Sequence, residues 1–242
     1  MEIVSLQNVS KSFRLPREKK NTLKEYLFSG GKSKNYEELW ALRQINFSAR
    51  NGEFISFIGP NGSGKSTLLK LISKVYLPTH GTVSAEGLIA PFLELGVGFQ
   101  CELSVKDNIY LYGATLGLPR REISGLFDKI IAFAELEKYI GQKIKNLSTG
   151  MEVRLAFSIA AHARAEILLV DEVLAVGDIA FQQKCFNLFT QFKKEGKTII
   201  FVSHDLDIVE KFSDKVGWMD GGTLKILDTP QKVISMYANP RQ

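Results

Sequence analysis

The most specific chemistry in the chain lies in Gly59-Pro60-Asn61-Gly62-Ser63-Gly64-Lys65-Ser66-Thr67. The spacing G-x-x-x-x-G-K-[ST] is that of a loop that cradles phosphate groups. Its glycines let the backbone curl so that several N–H groups face one anion. The helix expected from Leu68 onward adds its positive dipole end. Lys65 is placed to reach the outer phosphates of a nucleotide, and the Ser66 hydroxyl to bind Mg²⁺. A second stretch, Ile167-Leu168-Leu169-Val170-Asp171-Glu172, runs four apolar residues into two carboxylates. Asp171 can hold Mg²⁺ through water, and Glu172 can polarise a water that attacks a γ-phosphate. A third, Thr198–Val202, is an apolar run that leads into Ser203-His204-Asp205. His204 there can reach the same phosphate or order the attacking water.

These groups need a scaffold that presents strand ends together. Phe54–Ile58, Ile167–Val170 and Thr198–Val202 are short, continuous apolar runs, as strands buried on both faces require. A parallel α/β sheet places ligands beyond the carboxyl ends of its strands, and the loop, the carboxylates and His204 all follow such runs. Upstream, Glu2–Phe13 alternates apolar and polar residues. Phe13 ends this expected strand as an aromatic able to stack on an adenine face, and Trp40 is a second candidate. Ile45–Arg50 reads as a further strand, with Asn51-Gly52 as a tight hairpin turn into the Phe54 strand. Ser104–Leu116, Arg120–Leu136 and Leu155–Ala163 read as helices, the last opened by Ser148-Thr149-Gly150. Their Ile and Phe positions are core packing.

Composition bounds the rest. The 242 residues are 45% hydrophobic and 24% charged, which fits a globular chain with a substantial core. No apolar run has the length of a membrane span, and Met1–Asn8 does not read as a signal peptide. Two cysteines make no disulfide framework. A net charge of +5 is mild; it suits an anionic surface but also plain solubility. The basic stretch 14–38 differs in composition from its flanks. It reads as a solvated insertion or as a short amphipathic piece at a headgroup layer.

The phosphate loop, Leu147-Ser148-Thr149-Gly150-Met151, Asp171-Glu172, Val176-Gly177-Asp178 and His204 follow one another in the order of an ABC-transporter ATPase domain, which the whole chain resembles. The resemblance implies one ATPase domain over 1–242. Its fold is a RecA-like P-loop core with a parallel sheet, an N-terminal antiparallel β region and a helical subdomain over about 98–165. It implies ATP and Mg²⁺ as cofactors. It also makes Ser148, Thr149, Gly150 and Met151 a signature loop acting on ATP held by a second copy, and Asp178 part of the loop that crosses a homodimer interface. His204 matches the switch histidine and Phe13 the adenine-stacking aromatic.

Within the family the chain is most similar to ATPase subunits of bacterial polysaccharide exporters of the O-antigen and teichoic acid type. The signature reads LSTGM rather than LSGGQ, Val173 stands where most members have Pro, and FLELGVGFQCELSVKDNI replaces the usual glutamine segment. Identity points to Gln100 as the residue that couples the site to the membrane partner; spacing points to Glu94 or Leu95. The implied partners are an integral-membrane permease and a lipid-linked polysaccharide, with no nucleic acid. The implied place is the cytoplasmic face of the bacterial inner membrane. The alternatives are the ATPase of another ABC transporter, or a soluble ABC ATPase acting on nucleic acid or ribosomes. Those soluble enzymes usually carry two ATPase domains or long coiled coils, and this chain has one phosphate loop and neither feature.

Overall fold

The computed structural model describes residues 1–16, 36–93, 95–171 and 178–239. In chain order the elements are β1 (Glu2–Pro16), β2 (Tyr36–Arg50), β3 (Phe54–Ile58), α1 (Lys65–Ile72), β4 (His80–Ala85), β5 (Ile89–Phe92), α2 (Val105–Thr115), α3 (Arg120–Ala134), α4 (Thr149–Ala161), β6 (Ile167–Asp171), α5 (Ile179–Lys194), β7 (Thr198–Val202), α6 (Leu206–Phe212), β8 (Lys215–Asp220), β9 (Thr223–Asp228) and α7 (Pro230–Ala238). They form a three-stranded antiparallel sheet in the order β2-β1-β4 and a six-stranded sheet in the order β5-β6-β7-β3-β8-β9. Strands β5, β6, β7, β3 and β8 run parallel, and β9 returns antiparallel to β8. The chain is α/β, as expected.

The apolar runs of β3, β6 and β7 follow from their position in the middle of the larger sheet. Every residue of β3 and β7 is buried. Successive side chains serve opposite faces, as the period of two demands. Phe54, Ile58, Leu168, Val170, Ile199 and Phe201 join one core cluster, with Phe157 of α4 and Phe181, Phe189 and Phe192 of α5. Ile55, Phe57, Ile167, Leu169, Ile200 and Val202 face the other way, against α1 and the apolar face of the antiparallel sheet. A third cluster gathers α2, α3 and α4 into a helical lobe around Ile109, Ile123, Ile130, Ile131 and Leu155.

Two local expectations are corrected. Asn51-Gly52 is a turn, but not a hairpin turn: β2 belongs to the antiparallel sheet and β3 to the parallel one. Both edges of β3 are already paired, with β7 and β8, so it has none left for β2. The turn instead carries the chain between sheets, with Gly52 at φ 80° and its N–H donated to Thr198 Oγ1 at 3.0 Å. The basic stretch is also narrower than 14–38. β1 continues past Phe13, and Arg14, Leu15 and Pro16 pair with Glu38, Glu37 and Tyr36. Lys19, Lys20, Lys24, Lys32 and Lys34 lie outside the described residues.

Phe157 joins the helical lobe to the sheet. It is fully buried, and its ring meets those of Phe92, Phe133, Phe181 and Phe189 at centroid distances of 5.3, 6.0, 6.0 and 6.4 Å. Truncating such a side chain removes its transfer energy and leaves a cavity. Phe157→Ala is therefore expected to lower the unfolding free energy by about 3–5 kcal/mol and Phe157→Leu by distinctly less. Urea unfolding followed by circular dichroism measures both; a loss below about 1 kcal/mol for the alanine variant contradicts this packing.

Candidate functional site: a nucleotide cleft at the sheet edge

The phosphate loop turns a buried strand into a helix between Ile58 and Lys65. Gly59, Gly62 and Gly64 sit at φ 148°, 77° and 102°. Two of them are also sterically obliged to be glycine. A Cβ on Gly59 would stand 2.0 Å from the Met219 carbonyl oxygen, and one on Gly64 would stand 2.6 Å from the Ala41 oxygen and the Leu42 side chain. The loop is thus pressed between β2 and the end of β8. The turn after β8 supports it from behind: Gly222 N–H donates to the Ser63 oxygen at 3.2 Å, and Arg43 N–H to the Gly222 oxygen at 2.8 Å.

Lys65 opens α1 and is 6% exposed. Its Nζ donates to the Gly59 and Pro60 carbonyls at 2.8 and 3.0 Å, so the ammonium lies inside the curl of the loop. The first turn of α1 holds no acidic residue; its N–H groups and dipole therefore favour an anion without competition. Ser63 Oγ is buried without a hydrogen-bond partner among the described residues. A buried hydroxyl without a partner costs about 1–3 kcal/mol, and a phosphate oxygen is the acceptor this loop is shaped to admit. Ser66 is exposed at the helix start and Thr67 is half-buried behind it.

An open cleft of about 350 Å³ leads from this loop to the antiparallel sheet. Its walls are Asn61, Gly62, Gly64, Lys65, Ser66 and Thr67 at one end and Phe13, Leu39, Trp40 and Ala41 at the other. Both aromatic candidates therefore line one cleft, on neighbouring strands, with Phe13 opposite Leu39 and Trp40 opposite Ser12. Phe13 meets the edge of Tyr76 at 5.3 Å, whereas Trp40 is stacked with His80 at 6.0 Å and carries the Arg43 guanidinium 5.7 Å from its ring centre.

The remaining predicted groups divide between the same edge and another place. Asp171 ends β6 beside Val202, the last residue of β7, and His204 follows two residues later. Because β7 lies between β6 and β3, the end of β6 stands roughly 10 Å across the sheet from the strand that feeds the phosphate loop. Asp205 caps α6, accepting from Asp207 and Ile208 N–H, which sets the turn that presents His204. Glu172 lies outside the described residues, as does the 173–177 stretch.

Ser148, Thr149, Gly150 and Met151 do not line the cleft. They form the start of α4, where Ser148 is the N-cap and its Oγ accepts from Met151 N–H at 3.3 Å. Asp178 is the N-cap of α5, with Oδ1 accepting from Phe181 N–H at 2.9 Å. That N–H, and next the Arg154 guanidinium, hold the Asp178 carboxyl below its usual range.

Between β5 and α2, Glu94 lies outside the described residues. Leu95 packs on both the main core and the helical lobe. Gln100 is fixed through its main chain: the fully buried Asn108 of α2 accepts from Gln100 N–H at 2.7 Å and donates to its oxygen at 3.1 Å. Its own side chain faces solvent. Sequence reasoning missed Asn108 and Arg154. Arg154 had a signal, a charge among the mostly apolar residues of its helix, whereas Asn108 follows Lys106 and Asp107 and had none.

The sequence pattern of the ABC transporter family matches residues 42–175. The O-antigen export system ATP-binding protein RfbB of Klebsiella pneumoniae is 39% identical over 97% of this chain and 97% of its own length. RfbB of Myxococcus xanthus is 40% identical over 98% of this chain and 56% of its own length. The teichoic acids export ATP-binding protein TagH of Lactiplantibacillus plantarum is 39% identical over 97% of this chain and 64% of its own length. The chain thus spans little more than half to two thirds of some of these relatives and nearly all of others. Among solved structures, a dimeric ATP-binding cassette in a post-hydrolysis state with ADP and Pi superposes with a TM-score of 0.75 at 23% identity, over 94% of this chain and 98% of that one. The chain belongs to the ABC transporter family, as one of its ATPase domains.

Proposed function

We propose that this chain is the ATP-hydrolysing subunit that powers export of a lipid-linked polysaccharide, of the O-antigen or teichoic acid type, across the cytoplasmic membrane. The observation that carries the ATPase reading is the convergence of the phosphate loop, Asp171 and His204 on adjacent strand ends of one sheet edge. The cargo is suggested by relatives named for O-antigen and teichoic acid export, whose identity to this chain runs over nearly its whole length. No described helix is long and apolar enough to cross a membrane. The subunit works from the cytoplasmic face, bound to a separate integral-membrane permease.

In this reading adenine stacks in the cleft on Phe13, with Trp40 as the alternative wall. The phosphates lie on the N–H groups of the loop and of the first turn of α1, where Lys65 offers its ammonium to the outer two. Ser66 and Asp171, the latter through water, supply hard oxygen donors of the kind that suit Mg²⁺. The ion, when bound, neutralises charge on the phosphates. Glu172 takes a proton from the attacking water, and His204 holds the γ-phosphate. Ser148–Met151 and Asp178 of one copy close over the ATP of a second, so that two nucleotides join two subunits. Glu94 or Gln100 relays the state of the site to the permease.

Two experiments test this reading. Lys65→Ala removes the only cation within the loop itself, and loss of one such electrostatic group costs a factor of about 100 or more in turnover. The variant is expected to lose at least that much ATPase activity, and to fail to restore surface polysaccharide in cells that lack this chain. Wild-type turnover refutes the site; intact polysaccharide with loss of another solute's transport refutes the cargo. Glu172→Gln keeps shape but not basicity, so it is expected to bind ATP, hydrolyse it slowly and run as a dimer in Mg-ATP but as a monomer in ADP. Size-exclusion chromatography with light scattering at high protein concentration decides this, and a monomer with ATP bound counts against the sandwich.

A further inference from the structure

Arg154 lies on α4, two residues beyond Glu152 and clear of the nucleotide cleft. Its side chain is only 17% exposed. One arm of the guanidinium holds Asp178 Oδ2 at 2.7 Å and the other holds Glu135 Oε2 at 3.1 Å. Its plane lies over the Phe181 ring, 4.9 Å from the centroid. Three elements therefore meet at one side chain: Glu135 at the left-handed C-cap of α3, Arg154 on α4, and Asp178 with Phe181 at the start of α5. Lys184 of α5 pairs with the second oxygen of Glu135 and closes the network from the far side.

Asp178 divides its work. Oδ1 caps α5 and Oδ2 takes the guanidinium. The cap alone would fix the helix start, so the second bond adds something the helix does not need. It ties that start to the helix whose own N-cap is Ser148. Ser148 and Arg154 are six positions apart on one rigid helix, about 9 Å along its axis.

We propose that Arg154 is a positioning residue that makes the signature loop and Asp178 one rigid unit, so that both meet a second copy of this chain in a fixed relation. The inference rests on the two-copy reading above and deepens it. Without Arg154 each segment would have to be ordered separately when the copies meet, and that ordering is a cost of association. A planar, two-armed cation is needed here, because lysine is a point charge and serves one carboxylate well but not two.

The experiment uses the full chain carrying Glu172→Gln and reads the ATP-dependent dimer dissociation constant by analytical ultracentrifugation. Arg154→Ala is expected to raise that constant about tenfold, the scale of one charge-assisted hydrogen bond. Arg154→Lys is expected to fall between. Asp178→Asn keeps the cap but loses the charge, and adding it to Arg154→Ala is expected to cost less than the sum of the two. Binding of a fluorescent ATP analogue to the free subunit is expected to stay unchanged in Arg154→Ala, which a general folding defect would not allow. If that binding is lost, Arg154→Lys, which keeps the charge, decides the question in the same dimer assay. Equal dimerisation with and without Arg154 overturns the proposal and leaves the two-copy reading intact. Failure of Glu172→Gln itself to dimerise with ATP bound overturns the reading underneath.

Discussion

A strand buried on both faces must become a helix within six residues while turning its amide groups outward. Everything else at the site depends on that conversion. It forces left-handed or otherwise positive φ at Gly59, Gly62 and Gly64, which only glycine adopts without strain. It also brings the loop so close to Met219 and Ala41 that two of these glycines leave no room for a Cβ. Strand β3 can deliver the loop only because β7 and β8 pair both its edges. The same sheet then delivers Asp171 and His204 to the same end. The site is thus a property of the sheet edge, not of the loop alone.

The helical lobe answers a different demand. Its apolar cluster is separate from the sheet's two clusters, yet Leu95 and Leu116 pack on both it and the main sheet cluster, and Phe157 of α4 reaches from the lobe into the latter. On the outer side the bridge is electrostatic, through Arg154. An apolar joint resists separation but tolerates sliding, whereas a guanidinium held by two carboxylates fixes orientation. The two together hold the start of α4 at a set angle to the sheet. The Arg154 guanidinium thus sets the orientation of α4 against the end of α3 and the start of α5.

Much of this was legible in the sequence, and the reasons differ by residue. The phosphate loop was readable because its glycines, lysine and hydroxyl answer to one local geometry. Strands β3, β6 and β7 were readable because burial on both faces leaves an unbroken apolar run. The Asn51-Gly52 turn was misread as a hairpin because a local turn signal does not say which sheet the next strand will join; pairing of β3 with β7, nearly 150 residues on, decided that. The end of β1 was missed because Arg14–Pro16 is held by cross-strand pairing with Tyr36–Glu38, not by its own propensity. Arg154 was passed over for a similar reason, since its partners lie 19 and 24 residues away on other elements. The choice between Phe13 and Trp40 stays as the sequence left it, for the two rings line the same cleft.

The central claim is that a phosphate loop in one copy is completed by a signature loop from another. A disulfide trap tests it directly. Cys101 is exposed and would be replaced by serine; Cys185 is buried, its thiol pushed up to about 12 by that burial, and can stay. In that background, with Glu172→Gln, cysteines are placed at Ser148 and Asn61, and ATP binding is verified before oxidation. The account predicts a cross-linked dimer with Mg-ATP and none with ADP or without nucleotide. A bond formed within a single chain, or cross-linking that ignores nucleotide, would contradict it.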